Sequence, residues 1–210
     1  IARFQDNVRG WGVNPETLVV VYDDNAGAQA GRAWWTLRWA GFDNVRLLDG
    51  GVDAWAALGQ TVTKEAATPA GGGTVTLRAG CMPTLSADAA AALARSSVLL
   101  DARGKANYVG APAEPGKPAT GHIPGAMLAP SGEHVDCGCF RPSDDIRRRL
   151  VELGVDASKP IGVYCGSGNA ASHLLAAMHA AGLEASLYVG SWSHWSADPA
   201  RPVATGPERG

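Results

Sequence analysis

The feature that most restricts the fold of this chain is that it states one pattern twice. VVVYDDNAGAQAGRAWWTLRWAGF and VRLLDGGVDAW, within Val19–Trp55, run parallel to IGVYCGSGNAASHLLAAMHAAGL and ASLYVGSWSHW, within Ile161–Trp195. Tyr22 answers to Tyr164, Gly41 to Gly182, Gly50 to Gly190 and Trp55 to Trp195. Matching core and turn positions at this distance imply two copies of one fold. Each copy reads as a short apolar strand, a Gly-containing loop, a helix stopped by Gly, a second short strand and a short final helix. Leu18–Tyr22 is a β-branched run of the kind buried in a parallel sheet. The same alternation fills the middle: Thr84-Leu85-Ser86 caps a helix over Ala87–Arg95, Val98–Arg103 is a strand ending in charge, and Pro142–Leu153 is a helix. Strands alternating with helices give an α/β class with central parallel sheets flanked by helices.

The copies divide the chain. Residues 1–65 hold the first, and 84–210 the second. Residues 66–83 read as a linker, because Thr68-Pro69-Ala70-Gly71-Gly72-Gly73 has linker composition. Thr74–Leu77 alternates and reads as a connecting strand inside it, while Gly104–Thr120, rich in Pro and Gly, reads as a long loop. The copies are unequal. The second has about 75 residues ahead of its repeated strand and the first about 20, so the first reads as a C-terminal half. A half-sheet leaves an edge and an apolar face open, which leads us to expect a preceding or separate segment of about 60–80 residues that completes it.

With 46% hydrophobic and 18% charged residues and a net charge of −2, the composition suits a globular protein without a nucleic-acid or membrane partner. Four cysteines in 210 residues are no disulfide framework, which points to a reducing cytoplasm.

Chemistry concentrates at Pro160–Ala171. An apolar strand ends at Cys165, Gly166-Ser167-Gly168 makes a tight loop, and an alanine-rich helix begins at Asn169-Ala170. Unpaired N–H groups at a helix start favour a thiolate over a thiol. Such a loop rings an anionic sulfur with backbone N–H groups, and Gly166 and Gly168 permit the curvature. The competing reading is a buried, inert cysteine; strand-end placement, the Gly-Ser-Gly loop and the repeat favour the nucleophile. In the first copy Asp23 stands where Cys165 stands, so only the second copy carries a sulfur nucleophile. Asp23 and Asp24 read as solvated loop carboxylates.

Other motifs have milder readings. His134-Val135-Asp136-Cys137-Gly138-Cys139 suggests a metal cluster, but Cys-x-Cys lacks zinc spacing, leaving a redox-labile pair or a plain loop. His173 and His179 read as packing or surface residues, and His122 as a turn brace. Trp34, Trp35, Trp39 and Trp55 read as core or domain interface. Arg103 reads first as a tie from strand end to loop and second as a substrate contact.

Taken in order, DAR at Asp101–Arg103, GHIPGA at Gly121–Ala126, CGSGNA at Cys165–Ala170, LDGG with Ala54-Trp55, and GSWSHW at Gly190–Trp195 resemble the tandem-domain sulfurtransferases of the rhodanese superfamily, the 3-mercaptopyruvate branch above all. The resemblance implies two rhodanese-like domains, the first non-catalytic and without its N-terminal half here. It implies transfer of sulfur from 3-mercaptopyruvate or thiosulfate, through a Cys165 persulfide, to a thiol, cyanide or thioredoxin-like acceptor, without a cofactor or metal. It makes Ser167 catalytic, assisting the substrate carbonyl or a proton relay, with partners from the first domain. Gly166-Ser167-Gly168 fits the mercaptopyruvate loop and Asn169-Ala170-Ala171 departs from it. Substrate-anchoring arginines are implied at Asn107 and near Gly116-Lys117. Asn107 carries no charge there, so another cation fills the place or the substrate differs. A phosphatase on the same fold needs Arg six positions after the cysteine, where Ala171 stands. A sulfur carrier without turnover, loaded by a protein partner, is the remaining alternative.

Overall fold

A computed structural model describes residues 1–68, 71–110 and 120–210. It falls into two compact units, Ile1–Met82 with Cys137–Cys139, and Pro83–Asp136 with Phe140–Gly210.

The first unit contains α1 (Ala2–Gly10), β1 (Val19–Val21), α2 (Ala30–Trp39), β2 (Val45–Leu47) and α3 (Gly51–Ala57). β1 and β2 pair in parallel, Val20 opposite Arg46. Trp34, Trp35 and Leu37 of α2 are buried with Phe42 and Val45, and Trp35 stacks on Trp39. Residues 73–81, expected as part of a linker, pack into this unit instead. Gly73 and Val75 donate backbone N–H groups to Arg9 and Val13, Arg78 to Ala40, and Val75 and Leu77 are buried. The segment is extended without strand pairing, because side-chain and turn acceptors such as Gln5 Oε1 take its N–H groups.

The second unit contains α4 (Ala87–Ser96), β3 (Val98–Asp101), α5 (Lys105–Val109), β4 (Met127–Leu128), β5 (Val135–Asp136), the Phe140 end of β6 (Cys139–Phe140), α6 (Ser143–Glu152), β7 (Ile161–Tyr164), α7 (Asn169–Ala180), β8 (Ser186–Leu187) and α8 (Ser191–Trp195). Its main sheet has strand order β4-β3-β7-β8, all parallel. Every residue of β3 and β7 is buried, as covered faces of a parallel sheet require. Ser86 caps α4 by accepting the Ala89 N–H. The small face of that helix, Ala87, Ala90 and Ala94, meets Tyr164, Tyr188 and Trp195 in one core. Gly162 makes the approach possible, since a Cβ there would lie 2.6 Å from a Leu93 methyl.

Two expectations need correction. Lys105–Val109 is helix rather than loop, because Tyr108 is buried, bonds Ala126 O at 2.8 Å and stacks on His122 at 3.8 Å. And β1 is not a buried strand. Tyr22 is 62% exposed and Trp55 41%, while their counterparts Tyr164 and Trp195 are 0% and 1%. Val20, Tyr22, Leu48, Val52, Trp55 and Val62 line an open apolar groove of about 430 Å³. The local design is nonetheless the same in both units. Trp55 Nε1 donates to Thr61 O as Trp195 Nε1 donates to Pro202 O. No helix among the described residues is long and apolar enough to cross a membrane.

Candidate active site

β7 delivers Cys165 to the carboxyl end of the sheet, between β3 and β8, and the chain turns at once into α7. Gly168, the N-cap of α7, takes φ +98°, where an L side chain is strained. That conformation aims its N–H at the cysteine, and Gly168 N lies 3.0 Å from Cys165 Sγ. Gly166 needs no such freedom, for a Cβ there would meet nothing within 4 Å. Of the two loop glycines, only Gly168 is required by the backbone.

The orientation of the loop is imposed from below by α8. Trp192 N donates to Cys165 O at 2.8 Å, and Ser193 donates to Gly166 O through both N, at 2.9 Å, and Oγ, at 2.8 Å. A trans peptide points its C=O and N–H in opposite directions. Tying these two carbonyls to α8 therefore turns the N–H groups of Gly166 and Ser167 the other way. Ser191 completes the clamp: its Oγ accepts the Cys165 N–H at 3.2 Å and donates to Tyr188 O at 3.0 Å. Ser191 and Ser193 were not among the site residues expected from sequence. The repeat held a signal for the first, because Ser191 has φ +52° where its counterpart is Gly51 at +58°. A non-glycine residue kept at a glycine position beside a reactive loop marks a special backbone.

Cys165 itself is 2% exposed, whereas Ser167 and Asn169 are exposed and Gly166 and Ala170 half-buried. The sulfur thus sits on the floor of a loop whose rim is Ser167 and Asn169.

A buried ion pair braces the strand ends behind it. Asp101 is fully buried and Arg103 grips it with Nε, 2.9 and 3.0 Å from the two carboxylate oxygens, and Nη2, 2.6 Å from Oδ2. Arg103 Nη2 also donates to Gly121 O at 2.6 Å, and its guanidinium lies 4.6 Å from the Trp192 ring. Burial works against the arginine's charge, but bonding to Asp101 and that carboxylate's charge outweigh it and raise its pKa. Tyr164 donates to the same carboxylate and accepts the Ile123 N–H; burial, with Asp101's charge, pushes its pKa well up. Arg103 is in place as the tie from strand end to loop. His122 braces the GHIPGA turn, with Nδ1 2.9 Å from Tyr108 O.

The remaining expected residues are placed as follows. Asn107 lies exposed on α5, beside the buried Tyr108. Gly116 and Lys117 lie outside the described residues. His173 is buried and stacks on Phe140, whereas His179 is exposed. No cluster of three or more metal-ligating side chains occurs among the described residues. Asp23 is not merely solvated: its carboxylate accepts backbone N–H groups from Asn25, Gly27, Gln29 and Ala30 at 2.8–2.9 Å.

Comparison with known proteins now bears on this arrangement. Residues 2–58 and 86–198 match the rhodanese-like domain. The chain belongs to the rhodanese family. It is 41% identical to a putative thiosulfate sulfurtransferase of Mycobacterium tuberculosis, matching over 98% of this chain and 73% of that one. To a probable 3-mercaptopyruvate sulfurtransferase of Pseudomonas aeruginosa it is 40% identical, over 95% and 72%. Among solved structures, YnjE superposes with a TM-score of 0.85 at 28% identity, over all of this chain and 53% of the other. An anaerobic ergothioneine biosynthesis enzyme from Chlorobium limicola gives 0.80 at 26%, over 95% and 53%. The chain thus spans about half of these two solved chains, and its α/β fold with parallel sheets flanked by helices is rhodanese-like. Within the family it is a sulfurtransferase of the thiosulfate and 3-mercaptopyruvate type.

Proposed function

We propose that Cys165 is the nucleophile and sulfur carrier of this rhodanese. The observation that carries the reading is the Gly168 N–H held 3.0 Å from Cys165 Sγ, in a loop whose preceding carbonyls α8 ties away from the sulfur. The thiolate attacks the outer sulfur of thiosulfate and releases sulfite, or attacks the thiol sulfur of 3-mercaptopyruvate. In the second case the C–S bond breaks and the sulfur's proton ends on the methyl carbon of pyruvate. Both leave a Cys165 persulfide, which a thiol, cyanide or thioredoxin-like acceptor then discharges. Ser167, exposed on the rim, is suited to relay that proton or bond the substrate carbonyl, and Gly166, Gly168, Asn169 and Ala170 form the surrounding wall. Lys117 is the cation proposed for the donor's carboxylate, and Arg103, bonded to Asp101 and Gly121 O, is proposed as a brace of the strand ends.

The exposed, uncharged Asn107 favours one second reading, a carrier loaded by a protein partner rather than by a free carboxylate donor. Residues 84–210 are proposed as the catalytic domain and 1–65 as the C-terminal half of a non-catalytic one, with 66–83 joining them. The open groove around Tyr22 and Trp55 supports completion of the first domain by a preceding segment or a separate chain. Four cysteines in 210 residues, no disulfide framework, support a reducing, cytoplasmic setting.

The test is loading. The chain is incubated with 3-mercaptopyruvate or thiosulfate and its intact mass followed for the gain of one sulfur, in wild type and Cys165→Ser. Equal loading of the two removes Cys165 from the mechanism. Loading by a cysteine desulfurase alone selects the carrier reading.

A further inference from the structure

A second thiol site lies on the hairpin that joins β5 to β6. Its turn has two residues, Cys137 and Gly138, with φ +48° and +83°. Two consecutive positive φ angles define a type I′ turn, whose first position favours Asn, Asp or Gly. Cys137 is therefore an unusual choice, because a side chain is strained in the left-handed region. Cys139 follows one residue later. Across a left-handed central residue two such Cα atoms lie about 5.4 Å apart, inside the range that a disulfide spans. Cys137 is exposed and Cys139 half-exposed.

At the base of the hairpin Phe140 stacks on His173 of α7 at 4.9 Å, Arg141 N donates to His134 O at 2.9 Å, and Arg141 Nη1 lies 3.8 Å from Asp136 Oδ2. The thiols also differ. Cys137 is the more accessible and hence the first attacker, while burial, with the charges of Asp49 and Cys137, raises the pKa of Cys139.

We propose that Cys137 and Cys139 form a dithiol that reduces sulfane sulfur to hydrogen sulfide, closing a Cys137–Cys139 disulfide. Sulfane sulfur is the species that the proposed Cys165 chemistry generates, and for that source the inference rests on that reading; a small-molecule polysulfide carries the same sulfur independently. The Cys137 thiolate attacks the outer sulfur of R–S–SH, releasing R–SH and leaving Cys137–S–SH. Cys139 then attacks the Cys137 sulfur, the S–S bond to the outer sulfur breaks, and that sulfur departs as hydrogen sulfide. The sulfane sulfur gains two electrons and the dithiol loses two. The second attack is intramolecular, so proximity offsets the raised pKa of Cys139. A disulfide closing so small a ring is strained and readily reduced, which lets ordinary cellular thiols reset it.

The experiment uses the full chain, reduced and freed of small thiols. One arm receives 3-mercaptopyruvate, the other inorganic polysulfide, and the peptide bearing Cys137 and Cys139 is weighed after alkylation. Loss of two hydrogens within that peptide is the expected result. Sulfide release from the mercaptopyruvate-loaded chain falls about tenfold or more in Cys139→Ala, which instead keeps one extra sulfur at Cys137. Cys165→Ser removes the mercaptopyruvate response and leaves the polysulfide response intact. A disulfide in the polysulfide arm alone, with Cys165 unloaded, refutes the donor assignment while upholding the dithiol. Absence of the disulfide from both arms, or sulfide release unchanged in the Cys137→Ala/Cys139→Ala variant, overturns the proposal.

Discussion

Replacing each glycine of the reactive loop by alanine separates backbone need from mere smallness. At Gly168, φ +98° penalises an L residue by about 1–2 kcal/mol, so Gly168→Ala lowers the unfolding free energy by about that amount. To escape the strain the peptide must rotate, and the N–H at 3.0 Å from Cys165 Sγ rotates with it. A hydrogen bond to a charged acceptor contributes about 1.5–3 kcal/mol, so its loss slows sulfur loading by roughly tenfold to a hundredfold. Gly166 lies outside left-handed space and a Cβ there has open room. Gly166→Ala therefore leaves stability unchanged or raises it by up to about 1 kcal/mol, by restricting the unfolded chain. Urea denaturation reads the stabilities, and quenched single-turnover loading with intact-mass detection reads the rate. The reasoning fails if Gly168→Ala loads at the wild-type rate, or if Gly166→Ala destabilises as much as Gly168→Ala.

Ser193→Ala removes one of two donors on Gly166 O, and a loss of about 0.5–1.5 kcal/mol predicts a severalfold slower loading with thermal stability little changed. Arg103→Met strands the fully buried Asp101 carboxylate and costs about 3–5 kcal/mol in denaturant titration, while Asp101→Asn/Arg103→Met recovers most of it. His134 is neutral in the fold, its pKa lowered to about 4 by burial and by the charges of Arg149, His173 and Arg141. The unfolded chain binds that proton near pH 6.5. The contribution of His134 is therefore complete above about pH 6.5 and is lost as pH falls towards 4. In His134→Leu the slope of stability between those pH values is shallower. Asp23→Ala leaves four backbone N–H groups at the head of α2 without their carboxylate and destabilises by about 1–3 kcal/mol, measured in urea.

Much of the fold could be read from local chemistry. The Ser86 cap, the Gly41 stop and the apolar runs of β3 and β7 each fix an element from nearby residues, and the helices α4 and α6 begin within a residue of their expected starts. Lys105–Val109 escaped because Pro and Gly crowd the segment after it, while the cause of the helix, Tyr108 locked between His122 and Ala126 O, lies far along the chain. The place of Cys165, at a strand end ahead of a tight loop, was legible because a thiol between an apolar run and Gly-Ser-Gly has a sequence signature. The clamp from α8 was not, since it consists of backbone N–H groups meeting backbone carbonyls, and no residue type announces that. Burial in β1 was misjudged for another reason: a β-branched run states what a strand can cover, not whether anything covers it.

The two copies together say what the loop is for. Both present peptide N–H groups at the carboxyl end of a parallel strand, and both fix the first residue's carbonyl from the following helix: Val52 N on Asp23 O, Trp192 N on Cys165 O. In the first copy the chain supplies its own anion. Burial pushes the Asp23 pKa up, but four backbone hydrogen bonds outweigh it and hold the carboxylate below its ordinary range. In the second copy the same position holds a sulfur, with one N–H on it at 3.0 Å. The backbone is thus an anion nest by construction, permanently filled where the residue is Asp and available for chemistry where it is Cys. On the proposed reading of Cys165, the same loop design that holds a built-in carboxylate in the first copy serves a reacting sulfur in the second.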